Sequence, residues 1–294
     1  MTIIKSSCHV FSMNKNNNPA ATCISGETVI FETLDCFCNN FTPIHTVWGK
    51  DNPKNSNPAT GPLFIENCEV GDTLKIEILD IELGEIGIMV TGPVNLVYED
   101  YLDEIKIHRL SVENDTVYVN DMFSLKARPM IGVIGVATQE PISTALLGRH
   151  GGNLDCNDIT KGTNLYLPVF VKGGLLSIGD LHALMGDGEI GECGLEIDGR
   201  VTVKVTVIKN KMLTGPLLEM DDYIEIIEFG STLEEASIKA SQSMLRYMIE
   251  VLRFDKHEAA LLLNLCGNLK VCQQVNTIKS VAMKMPKHYL LTKN

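Results

Sequence analysis

Apolar and polar residues alternate with a two-residue period along much of the first two thirds of the chain, and that alternation predicts short β-strands. The cleanest case is Val201–Val207, V-T-V-K-V-T-V, with one buried and one polar face. Thr28–Thr33 reads as a short strand leading to Asp35. Thr73–Leu83, T-L-K-I-E-I-L-D-I-E-L, sets Leu74, Ile76 and Ile78 on one face, and the same period adds Asp80 to it. Either the strand has left the core by Asp80 and the carboxylate is solvated, or Asp80 belongs to a site. Further strands are expected at Tyr118–Val119 and Met130–Val136, with an apolar run at Leu165–Val171. Asn52–Pro62, dense in Asn, Pro and Gly, is expected as a loop.

The period changes in the last third. Thr232-Leu233-Glu234-Glu235 is a capping-box pattern, and Leu233, Ala236, Ala240, Met244, Met248 and Leu252 then recur at helical spacing. A second helix is expected from Asp255, with Glu258 three residues on, ending before Gly267. Leu269–Val275 reads as a final strand. The pattern predicts a mainly β fold, a sandwich or distorted barrel, with a smaller α+β C-terminal part. Residues 1–220 form the β region with the site loops. Residues 221–294 pack on it, and the whole is expected as one compact unit.

Charge narrows the partners. Twenty-five basic against 37 acidic residues give a formal net charge of −12. That balance argues against nucleic-acid binding and against docking on an anionic membrane. Nine cysteines cannot all pair internally, and the longest apolar runs are far too short for a membrane span. Together with an N-terminus lacking an apolar signal-type stretch, these features are read as a cytoplasmic protein with free thiols. Cys36-Phe37-Cys38 and Cys266…Cys272 lack the spacing of a zinc knuckle.

The candidate chemistry lies between Pro129 and Glu196, where glycines stand among His150, Asn153, Asp155, Asp180, His182, Asp187 and Glu189. Mixed imidazole and carboxylate donors suit zinc or a similar divalent ion, whereas carboxylates and carbonyls alone suit calcium. If Gly179–Ala183 is extended, Asp180 and His182 share a face, and Asp187 and Glu189 can likewise converge across Gly188. Taken singly, His182 could equally be a hydrogen-bonded core histidine, and Asp187-Gly188 a turn. No G-x-S-x-G elbow, P-loop or dinucleotide fingerprint is present.

The segments F-E-T-L-D-C-F (Phe31–Phe37), N-P-A-T-G-P (Asn57–Pro62), G-D-T-L-K-I-E-I-L-D-I (Gly71–Ile81), R-P-M-I-G-V-I-G-V-A (Arg128–Ala137), R-H-G-G-N-L-D (Arg149–Asp155), L-Y-L-P-V (Leu165–Val169) and G-D-L-H-A-L-M-G-D-G-E (Gly179–Glu189) resemble, in order, the acetamidase/formamidase family. The resemblance implies hydrolysis of short-chain linear amides to a carboxylate and ammonia. It also implies a bound divalent metal, zinc first with calcium as a companion, and a homodimer or higher homo-oligomer. Carried onto this chain, the site comprises Asp35, Asp80, Glu140, His150, Asn153, Asp155, Asp180, His182, Asp187 and Glu189. His150, Asp180 and His182 are the leading ligands, with Asp35, Asp80, Asp155 and Asp187 as further ones. Glu140 is the expected acid/base with Glu189 as the alternative, and Asn153 or the Gly151-Gly152 backbone would hold the oxyanion. Two rivals stand beside this reading: a non-catalytic, metal-stabilised β protein binding a small ligand or partner, and a metal-free amidase with a cysteine nucleophile.

Overall fold

The alternating segment around Val201–Val207 forms the strand Gly199–Ile208, which pairs antiparallel with Thr28–Thr33 on one side and Thr73–Leu83 on the other. This is a computed structural model, and it describes residues 1–39, 56–94 and 97–290. Those three strands lie within a nine-stranded sheet that runs from Thr2–Ile4 at one edge to Asn268–Gln273 at the other. A second sheet of twelve strands has at its centre Glu196–Ile197, Leu176–His182, Met130–Gly135 and Gly151–Asn153, in that order.

Phe31, Leu74, Ile76, Val201 and Val203 from the first sheet join Leu63, Ile131, Ile134, Leu176 and Ile178 from the second in one buried apolar cluster. The two sheets therefore pack face to face, as a mainly β sandwich. Each fully buried Leu, Ile or Phe contributes about 1.5–3 kcal/mol, so this layer is the main source of stability. Among the described residues no helix is long and apolar enough to cross a membrane.

Both helices start where the caps predict. Glu235 N donates to Thr232 Oγ1 at 3.1 Å, while the Glu235 carboxylate accepts from the Ser231 N–H at 2.8 Å. Asp255 Oδ1 accepts from the His257 and Glu258 amides, opening the helix Lys256–Cys266. Ala236, Ala240, Met244 and Met248 pack on Ile224, Ile226, Met283 and Met285, forming a second apolar cluster. The strands beneath these helices continue the nine-stranded sheet. Tyr223–Gly230 pairs with Leu217–Glu219, so residues 220–222 form a hairpin turn and not a linker.

Three expectations are corrected. Asn52–Pro62 is not loop throughout: Ala59–Ile65 is a strand, and residues 52–55 lie outside the described ones. Leu269–Val275 is neither as long as expected nor last. Its strand is Asn268–Gln273, and Lys279–Pro286 follows as its antiparallel partner. Asp80 does not continue the face of Leu74, Ile76 and Ile78. Thr202 pairs with Asp80 and Val203 with Ile78, so Leu79 is an extra residue in a β-bulge. The bulge turns Leu79 outward and leaves Asp80 half-exposed, in a 2.8 Å ion pair with Lys161.

Glu219 ties this C-terminal layer down, accepting from Tyr166 Oη at 2.5 Å and pairing with Lys287. Burial opposes its ionisation, but the Lys287 and Tyr166 bonds outweigh that and hold its pKa below 4.5. A lowered carboxylate pKa adds stability that is present above about 4.5 and lost as the pH falls through the lowered value. Glu219→Gln is therefore expected to be less stable than wild type at pH 7, with the gap closing in acid. Urea melts of both proteins at several pH values check this.

Candidate active site

The strand Leu176–His182 lies between Met130–Gly135 and the short strand Glu196–Ile197, with His182 directly opposite Glu196 in the register. That pairing sets His182 Nε2 3.1 Å from Glu196 Oε1 and 3.7 Å from Asp180 Oδ1. Asp155 follows the neighbouring strand Gly151–Asn153. Asp155, His182 and Glu189 can each bring a ligand atom within 4.8 Å of the other two, and so can Cys36, Asp180 and Glu196. The two trios meet at His182. All six side chains are buried.

Gly132 makes room for them. Asp180 lies opposite Gly132 in the register, and a Cβ there would stand 2.6 Å from Asp180 Oδ2 and 2.7 Å from Asp155 Oδ1. Gly194 does the same for the imidazole, since a Cβ there would meet His182 Nδ1 at 2.4 Å. The backbone is also strained at this place. Asp155, Asp180 and Glu189 have φ of +42°, +55° and +47°, and Asn57 beside them has +56°. A left-handed non-glycine residue costs roughly 1–2 kcal/mol, so the surrounding sheet forces these carboxylates inward against their own preference.

Four buried carboxylates, Asp155, Asp180, Glu189 and Glu196, face one imidazole, and full ionisation would leave three net negative charges (four minus one) out of water. Protons relieve part of that load. Burial, then the Asp180 charge, pushes Asp155 up to about 8, and burial raises Glu196 to about 7 against the pull of His182. Glu189 is raised well above the carboxylate range by burial and by Asp155 beside it. For His182, burial alone would lower the pKa, but Glu196 and Asp180 outweigh it and raise it well above 6.5. Asp155 Oδ1, Glu196 Oε2 and both His182 nitrogens are buried without a well-aligned hydrogen-bond partner. Such a buried, anionic set with orphaned O and N atoms fits a divalent cation.

The structure divides the expected residues into three groups. Asp155, Asp180, His182 and Glu189 come together in the cluster. Asn153 stands next to it with its amide already engaged. Its Oδ1 accepts from Asn57 Nδ2 at 2.9 Å and its Nδ2 donates to Asp155, so it orients a carboxylate and is not a free oxyanion donor. The Gly151-Gly152 backbone is likewise committed, paired on both sides within the sheet. His150 is buried between Gly148 and Gly152 with Nε2 unpartnered, but it belongs to neither trio. Burial lowers its pKa to about 4, so it stays neutral near pH 7.

Four expected residues lie outside both trios. Asp80 is held by Lys161. Asp35 is buried, with Oδ1 accepting from the Phe37 and Asn39 amides in a turn. Asp187 does not converge with Glu189: it is half-exposed, paired with Lys270 at 3.2 Å and bonded by Asn157. Glu140 is exposed in the loop after Met130–Gly135, outside both trios. Sequence reasoning missed Cys36 and Glu196. Glu196 carried one local sign, a charge between Leu195 and Ile197 in an otherwise apolar run.

Comparison with known proteins bears on this cluster. The pattern of the acetamidase/formamidase family matches residues 136–278, the stretch holding Asp155, Asp180, His182, Glu189 and Glu196. The formamidase of Methylophilus methylotrophus is 53% identical over 62 residues, so the matched stretch spans 21% of this chain and only 15% of that relative. The recombinant predicted acetamidase/formamidase of Thermoanaerobacter tengcongensis superposes with a TM-score of 0.93 at 34% identity, over 98% of this chain and 96% of that one. The acetamidase of Bacillus halodurans superposes with a TM-score of 0.92 at 42% identity, over 98% of both chains. On this likeness along almost the full length, the chain belongs to the acetamidase/formamidase family of amidases.

Proposed function

We propose that this chain hydrolyses short linear amides of the formamide or acetamide type to a carboxylate and ammonia, with a divalent cation seated in the buried cluster. The observation that carries the reading is the convergence of Asp155, Asp180, His182, Glu189 and Glu196, with orphaned atoms on Asp155, His182 and Glu196 and left-handed backbone at Asp155, Asp180 and Glu189, within the stretch the family pattern matches. His182, Asp155, Asp180 and Glu196 are the residues that would hold the cation, and the imidazole among them makes zinc the first candidate. Bound there, such an ion polarises a carbonyl and lowers the pKa of a water towards about 7.

The protein's own groups supply the proton traffic. Glu189 is buried beside Asp155, and burial with the Asp155 charge raises its pKa well above the carboxylate range. In this reading Glu189 takes a proton from the attacking water as the C–O bond forms. It then delivers that proton to the amide nitrogen as the C–N bond breaks, and ammonia leaves. Asn57 and Asn153 hold Asp155 and Asp180 in place for this exchange.

The test couples metal analysis of the purified protein to an ammonia assay over formamide, acetamide and propionamide. Activity lost to a chelator and restored by zinc supports the reading. No ammonia from any short amide, with metal supplied and the fold verified, removes it in favour of a non-catalytic protein. Activity indifferent to chelators but abolished by thiol reagents would point to a cysteine nucleophile instead. His182→Ala is expected to lose metal and activity together, by more than the roughly 10–100-fold that losing an outer partner of a metal site costs. Full metal content and full turnover in that variant would make the imidazole structural.

A further inference from the structure

The cluster's two key carboxylates arrive on separate segments, and both segments are tied to one lysine outside it. Asp155 is followed by Asn157 and Asp158, and Glu189 is preceded by Asp187. Lys270 Nζ bonds Asp158 Oδ2 and stands 3.2 Å from Asp187 Oδ1. Lys270 and Asp158 are only 13% and 9% exposed, so water screens that pair little, while the Asp187 end of the bridge is half-exposed. Asn157 Nδ2 closes the same bridge by donating to Asp187 Oδ1 at 3.0 Å. The strand carrying Lys270 also grips the Glu189 loop through the backbone: Gly188 N donates to Cys272 O, and Gln274 N to Gly188 O, both at 3.0 Å.

We infer that Lys270 is a positioning residue, clamping the Asp155 and Glu189 segments together so that their carboxyls meet in the cluster. The clamp rests on the reading of the cluster as the working site. Glu189 needs such a hold, because its φ of +47° would otherwise relax and withdraw the carboxyl. The C-terminal α+β layer thus does more than cover the sheet: its edge strand holds the loop that carries Glu189.

A neighbour provides the control. Lys284 reaches Glu225 at 2.9 Å and Asp158 at 3.6 Å, and so shares the buried network through other carboxylates than Asp187. The experiment compares wild type, Lys270→Met, Lys270→Arg and Lys284→Met. It measures hydrogen exchange of peptides spanning residues 184–192, Zn2+ affinity by titration, and kcat and KM for acetamide. Lys270→Met is expected to speed exchange in that loop and weaken Zn2+ binding about 10–100-fold, as for lost outer support of a metal site. It should lower kcat with KM nearly unchanged, and Lys270→Arg should restore most of each. Lys284→Met should lower the melting temperature without moving the loop or the affinity. If Lys270→Met matches Lys284→Met in exchange and Zn2+ affinity, the clamp is overturned and the network is only structural. Should Lys270→Met fail to fold, Asp187→Asn cuts the same arm and is read in the same way. Should wild type release no ammonia, the amidase reading falls, while loop exchange still decides the clamp.

Discussion

Gly132→Ala is expected to weaken the proposed cation binding and amide hydrolysis sharply while leaving a folded sandwich. The added methyl has no free space. Its nearest neighbours are Asp180 Oδ2 at 2.6 Å, Asp155 Oδ1 at 2.7 Å and the Asp180 carbonyl oxygen at 2.8 Å. The two carboxylate tips can rotate away, but the carbonyl is fixed in the strand pairing of Leu176–His182 with Met130–Gly135. Relief therefore comes from moving the tips, and these are the atoms that would hold a cation. Overpacking a core costs roughly 1–3 kcal/mol, which a domain of this size tolerates with a lower melting temperature. Cation affinity should fall at least about 100-fold, since direct donors and not outer partners are displaced. Calorimetric titration with Zn2+ and a thermal melt on the same sample separate the two effects. Normal affinity in Gly132→Ala would mean the carboxylates sit differently from the arrangement described here.

The same glycine shows why part of the site could not be read from sequence. Alternation in Val201–Val207 and Thr73–Leu83 located strands almost to the residue, because a half-buried strand writes its face into every second position. The Thr232 and Asp255 caps located both helix starts, because capping is a contact between near neighbours. Asp80 misled for a local reason: one bulge residue, Leu79, reverses the faces, and nothing in the pattern announces it. Glu196 and Cys36 were invisible for a non-local one. Glu196 matters through its place opposite His182 across a strand pair, and Cys36 through its approach to Asp180 from the turn that follows Thr28–Thr33. Sequence proximity also overcounted. Asp187 and Glu189 flank one glycine yet part company, since Glu189's left-handed backbone turns it inward while Lys270 and Asn157 draw Asp187 outward.

Glu189→Gln lowers the catalysed rate roughly 10²–10⁴-fold, the usual contribution of general acid–base catalysis, whereas Glu140→Gln leaves it near wild type. The two were rivals for one role on sequence grounds, and burial separates them. Glu140 lies exposed on a loop, outside both trios. Glu189 is buried beside Asp155 and His182, and burial with the Asp155 charge raises its pKa well above the ordinary range. A carboxylate made more basic by burial takes a proton from the attacking water more readily, and the carboxyl so formed can donate it to the departing amine. The amide of glutamine keeps the side chain's length and one acceptor oxygen but cannot carry the proton. Metal content of Glu189→Gln should therefore stay near wild type while kcat collapses. Metal lost together with activity would reassign Glu189 as a ligand. A collapse of kcat in Glu140→Gln with normal metal would instead require the exposed loop to fold over the cluster when substrate binds.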